Sequence, residues 1–325
     1  MQKIKCFKYL VYGLAFLLLQ ACEAPLKLDS VVSEKAKALH RTDRLQATST
    51  NGKVIAVVGS FGVVLVSFDA GKNWTRQQLK GQPTLIDISA CPDNSLVTLS
   101  VEGDVWVSDD NGKSWQSHKI ETAETPQAIT CAPDSKLWVV GSFSTFLSSA
   151  DKGVSWSSQS LDEDMILSYI TFFDADHGVA TGEFGNLLST TDGGKNWQMV
   201  TTMPNEFYPI SALFTDMNTG WVAGLGGKIL YTENAGQSWS VEETGTPVPL
   251  YGLSKNGQRL FAVGALGTVL TRTLTDSDSS IHWEPFFYQN KTRSYLRASM
   301  FNKDFAILAG GSGVLFRSSL AEGEK

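Results

Sequence analysis

Residues 190–197 read TTDGGKNW, an acidic, glycine-rich stretch that ends on an indole. Two kinds of chemistry are open to it. The carboxylate and the amides of a flexible loop could hold a metal ion or a phosphate. The same carboxylate could instead accept hydrogen bonds within a tight turn and feed the Trp into a core. Other acids suggest a different reaction. Glu102 with Asp104, or Glu183, could supply the paired carboxyl groups that hydrolyse a glycosidic bond. The histidines offer less, because His40, His118, His177 and His282 are scattered without ligand spacing. Neither a Gly-x-Ser-x-Gly elbow nor a P-loop occurs.

The elements around these residues decide between the readings. SFDAGKNW (67–74), SDDNGKSW (108–115), SADKGVSW (149–156) and TENAGQSW (232–239) repeat the same phrase. Its Trps stand at 74, 115, 156, 197 and 239, and a worn copy ends at Trp283. A period of about 40–45 residues marks a propeller blade of four short strands. Upstream of each copy an apolar run, a Gly turn and a second apolar run read as a hairpin. VVGSFGVVLVS (57–67) and ATGEFGNLLST (180–190) are examples, and the hairpin recurs through LAGGSGVLFRS (308–318). Seven such hairpins predict an all-β, seven-bladed β-propeller over 42–320.

In that setting each box becomes a turn. Asp69, Asp110, Asp151 and Asp192 accept bonds from turn amides, Gly71, Gly112, Gly153, Gly194 and Gly236 take the special backbone conformation, and Trp74, Trp115, Trp156, Trp197 and Trp239 pack inward. Asn234 in the fifth copy fits, since Asn makes the same turn bonds while a metal site would lose a charge. Neither metal nor cofactor is therefore expected. Glu102, Asp104 and Glu183 are read as solvated turn acids, and the protein as a non-enzyme.

Net charge is −6, so global attraction to nucleic acid is not expected. Lys3, Lys5 and Lys8 precede an apolar stretch from Tyr9 to Leu19, too short for a stable span and suited to a secretory signal. LQAC (19–22) resembles the bacterial lipobox, which implies acylation at Cys22 and a signal over 1–22. Glu23 in place of Asp favours the outer membrane, facing the periplasm. Cys91 and Cys131 are one repeat apart, at matching ends of neighbouring strands. An oxidising compartment permits a bridge, while the Cα separation limit favours two buried thiols as the alternative.

The box, Ser-x-Asp-x-Gly-x-x-Trp, resembles the Asp-box or BNR repeat of sialidases, some glucanases and sortilin-like receptors. FDADHGVATGEFGNLLSTTDGGKNW (173–197) more closely resembles the repeat of the photosystem II stability/assembly factor family. That resemblance implies a seven-bladed propeller that binds a membrane protein complex and helps assemble it. A sialidase would need an arginine triad, yet no arginine lies between 77 and 258. Arginines gather instead at the end of the chain. Arg293 and Arg297, spaced by four, are expected to point the same way from one strand and to form a partner-binding face. The last blade lacks an outer strand before the tail at 321–325. Residues 28–40, within a tether over 23–41, are a candidate for closing it, with a disordered tether as the alternative.

Overall fold

The structure, a computed structural model, describes residues 29–274, 282–289 and 291–320. Cys22, the signal segment and the tail therefore lie outside the described residues. A helix, Asp29–Lys35, belongs to a compact unit that ends at Lys37. The second unit begins at Ala38 and is the propeller.

Among the described residues, seven antiparallel sheets make up this second unit, six of four strands and one of three. The strand pattern is local. In blade one, Ile55–Gly59 and Val63–Ser67 are buried along their whole length. Such strands are sandwiched on both faces, which is why they read as continuous apolar runs rather than as alternation. The outer strand Thr75–Gln78 is polar, with Thr75 and Gln78 exposed and Arg76 and Gln77 half-buried. First strands line the axis, and each touches the first strand of the next blade, including the last against the first.

The core lies between blades. Seven apolar clusters each join one blade to its neighbour; Val58, Val66 and Leu79 of blade one, for example, pack on Leu85, Leu96 and Trp106 of blade two. The cluster that closes the ring holds Leu45, Val57 and Leu65 of blade one with Ala298, Phe305 and Ile307 of blade seven.

Closure is the point where the fold departs from expectation. Residues 29–35 are helical, and among the described residues blade seven has three strands, Leu296–Phe301, Phe305–Gly310 and Leu315–Ser319. Among the described residues, no closing strand comes from the segment 28–40. Residues 39–43 seal the junction in another way. Leu39 packs on the closing cluster. The Gly313 amide donates to the Asp43 carbonyl at 2.8 Å. The Asp43 carboxylate receives both arms of the Arg76 guanidinium at 2.7 and 2.9 Å and the His40 amide at 2.8 Å. From the other side, Arg317 Nε donates to the Ala70 carbonyl at 2.9 Å, and its guanidinium lies over Phe305.

A covalent link also ties two blades. Cys91 and Cys131 form a disulfide with a Cα separation of 5.2 Å, joining blades two and three beside the axis. The bond resolves the alternative that spacing left open. Inner strands of adjacent blades approach more closely at that end than the repeat length alone indicates.

Candidate functional site

Each box is a self-contained cap. In the first, Ser67 Oγ donates to Asp69 Oδ1 at 2.9 Å and accepts from the Gly71 amide at 2.8 Å. Asp69 Oδ1 then takes the amides of Lys72 and Asn73, and Oδ2 takes Asn73 Nδ2. Asn234 reproduces this in the fifth box, accepting from Thr232 and the Ser238 amide and donating to Ser238 Oγ. The carboxylates are thus saturated by their own turns, and no group of three or more potential ligands is placed to hold a metal among the described residues. Glycine is required: Gly71 has φ +80°, and a Cβ there would stand 2.4 Å from Ile307 of blade seven. Every box Trp joins the cluster shared with the preceding blade. Trp197 is buried, whereas Trp74, Trp115, Trp156 and Trp239 are half-buried.

These bonds carry a pH signature. Side-chain and backbone donation from Ser155 holds Asp151 down at about 2. At Asp110 burial pushes the other way, but bonds from Ser114 and Ser108 outweigh it and the carboxyl again sits at about 2. A carboxylate depressed in the folded state stabilises above its unfolded value and loses that contribution as pH falls through the folded one. The contribution should therefore be complete at neutral pH and drain away between about 4 and 2. Replacing Asp110 and Asp151 by Asn, each opposite a Ser as Asn234 is, should leave the neutral-pH melting temperature nearly unchanged. It should also flatten its fall between pH 4 and pH 2. An identical slope in thermal melts of the double variant would contradict the assignment.

Opposite the boxes lies a different surface. The turn between the second and third strand bonds a connector that joins its blade to a neighbour. The Gly62 amide donates to Pro83, Ser142 to Thr125 and Glu183 to Ile166. Turns and connectors therefore share one face. At its centre is the mouth of an axial cavity of about 320 Å³, lined by the first strands. All seven first strands carry a register shift near their start. A bulge re-aims the residue it leaves unpaired, and Gln46, Gln127, Tyr251 and Arg297 are turned in this way toward the cavity that they line. Deeper in, Asp87 accepts the Ile88 and Ile129 amides at 2.8 and 2.9 Å, the second from the next blade. Burial pushes its carboxyl up to about 6 despite those bonds and the charge of Arg297. Burial likewise pushes the Tyr169 phenol up to about 12.

Around this mouth the turns lift apolar side chains into solvent. Phe61, Phe143 and Phe184 are 55%, 53% and 57% exposed, and Leu225 and Leu266 are 57% and 66% exposed. The three Phe and Leu266 have φ of +61°, +50°, +59° and +56°. A bulky L-residue in that region costs roughly 1–3 kcal/mol, and blade five uses Gly226 at the corresponding place. Six blades in all present an exposed apolar residue here once Val101 is included.

A family model described as photosynthesis system II assembly factor YCF48 matches residues 30–153, 113–201 and 154–250. The chain belongs to this family. Among solved structures, YCF48 bound to D1 peptide is 16% identical with a TM-score of 0.71, over 87% of this chain and 93% of that one. YCF48 from Cyanidioschyzon merolae is 14% identical with a TM-score of 0.71, over 87% and 97%. Virginiamycin B lyase from Staphylococcus aureus is 13% identical with a TM-score of 0.74, over 87% and 98%. At such identities the likeness establishes the fold alone, which binders and enzymes share. No curated protein sequence matches.

Set in the YCF48-type propeller, the residues expected to act do not assemble as expected. The strand of blade seven starts at Leu296, so Arg293 precedes it and the four-residue parity argument fails. Arg297 lines the axial cavity, and Arg293 is exposed outside it. Of the other late arginines, Arg272 pairs with the buried Glu242, and Arg259 lies 5.2 Å over the Phe261 ring. The acids proposed for hydrolysis are turn fasteners. Glu102 accepts the Thr84 amide, while Glu183 accepts the Ile166 amide and the Tyr208 hydroxyl. Asp104 stands 3.9 Å from Lys119. The sequence reading missed the exposed turn tips, although GSFG, GSFS, GEFG and GALG place Phe or Leu at one position in four blades.

Proposed function

We propose that this protein is a non-catalytic, protein-binding propeller that serves as an assembly or accessory factor for a membrane protein complex. It is held by lipid on Cys22 at the periplasmic side of a bacterial outer membrane. The turn face carries this reading. Isolated apolar residues are ordinary on a surface, but one repeated around a single mouth is the pattern of a contact surface. Membership of the YCF48 family supports it, as does the fold it shares with a YCF48 that holds a peptide. Carboxylates committed to turn hydrogen bonds speak against glycoside chemistry.

The test has two arms. Cys22→Ser should move the protein from the membrane fraction to the soluble fraction, since one residue carries the acyl chains. Cross-linking in the source cells should join the wild-type propeller to subunits of one membrane complex. Recovery of no membrane protein, or turnover of a panel of glycosides, would overturn the reading; continued membrane association of Cys22→Ser would overturn the anchor.

A further inference from the structure

We infer that the turn face docks a cationic, amphipathic segment of the partner protein, with the apolar side of that segment on Phe61, Phe143 and Phe184. The inference rests on the protein-binding reading above and specifies the chemistry of what binds. Three observations carry it. The first is the repetition of an aromatic tip at one turn position in blades one, three and four, each more than half exposed. The turn itself does not demand Phe, because Gly226 and Ser312 hold the same place in blades five and seven with φ +68° and +57°. A side chain that the fold disfavours and the core does not use serves contact with something else.

The second observation is charge. The connectors that flank Phe143 and Phe184 carry exposed Glu121, Asp162, Glu163 and Asp164, while the one beside Phe61 carries exposed Lys80. Phe143 itself lines a cleft of about 530 Å³ together with Glu121, Glu124 and Asp162. An aromatic wall with carboxylates beside it suits a Lys or Arg side chain, which gains from both the ring face and the opposite charge. Anionic lipid headgroups would be repelled by the same arc, so a bilayer does not fit it. The third observation is contrast. On the box face the exposed apolar residues, Phe68 and Val154, occur at different places of their boxes and do not repeat.

Asn is the L-residue that tolerates a positive φ best, so Phe143→Asn combined with Phe184→Asn should fold at least as well as the native chain. The probe is a dye-labelled amphipathic peptide built from Leu and Lys, titrated into the full-length protein in detergent and read by anisotropy. A Leu and Glu counterpart serves as the comparison. The expected result has three parts: the Lys peptide binds, added salt weakens it, and the double variant loses about tenfold or more in affinity with no fall in melting temperature. Absence of Lys-peptide binding, equal binding of Lys and Glu peptides, or unchanged affinity in the variant would overturn the assignment. So would a concentration-dependent dimer that the same substitutions abolish, because a second copy would then be the occupant. Failure here is separable from failure of the general reading. If cross-linking recovers a membrane complex equally with wild type and variant, the partner function stands and this docking surface falls.

Discussion

Trp197→Ala should lower folding stability by about 3–5 kcal/mol, the range for emptying a large aromatic site in a core. The indole is 6% exposed and bridges blades three and four. It stacks on Phe146 with centroids 4.3 Å apart and an interplanar angle of 13°. Phe172 and Trp138 meet it edge-on at 5.8 and 6.2 Å. Aromatic pairs of this kind add about 0.5–1.5 kcal/mol beyond their buried area. A neighbour sharpens the effect, because the Cβ that Gly194 lacks would fall 2.2 Å from the Trp138 ring. Box, Trp and preceding blade are fitted as one piece. Trp197 Nε1 has no acceptor in the structure, so Trp197→Phe sacrifices no hydrogen bond and should lose much less. Denaturant unfolding of both variants decides the matter. An Ala variant as stable as the native chain, or one no worse than Phe, would show that the box Trp does not hold the blades together.

A loss of similar size is expected from Glu242→Ala. Glu242 is fully buried at the end of the outer strand of blade five. Its carboxylate accepts Trp283 Nε1 at 2.7 Å and Trp221 Nε1 at 3.3 Å, and it pairs with the Arg272 guanidinium. The Arg272 side chain is only 14% exposed. Removing one partner of a buried pair leaves the other charge in a poorly solvated place, at a cost of about 3–5 kcal/mol. The pair as a whole is worth far less, because burying both ions already offsets most of their attraction. Glu242→Leu combined with Arg272→Met should therefore be markedly more stable than Glu242→Ala alone. A double-mutant cycle measures this coupling directly. Additive losses, with the double variant worse than either single change, would mean that the two residues act separately.

The two predictions differ in how far they could be read beforehand. Trp197 announces itself through a box that recurs every 41 or 42 residues. Glu242 does not, because the connection that matters runs from blade five to Arg272 and Trp283 of blade six, and nothing in the local text of Ser240–Glu242 marks it.

That difference follows the range of the physics involved. The sequence by itself determined whatever is decided within one repeat. Apolar strands around a Gly turn, an Asp that bonds amides three and four residues on, and a Gly where φ must be positive are all short-range facts. Their recurrence sets the blade count and the all-β class, and the box carboxylates are structural for the same reason. Only the tertiary structure decided what depends on one blade meeting the next. Bulges turn Arg297 into the axial cavity and away from Arg293. The approach of inner strands joins Cys91 to Cys131. Packing of residues 39–43, rather than a borrowed strand, closes the ring. Exposure is the last of these. Phe146 and Phe143 lie three residues apart and are chemically identical, yet one is buried against Trp197 and the other stands in water at a turn tip. Hydrophobicity alone cannot separate them, because what covers a side chain is set by the neighbouring blade and the path of the connector.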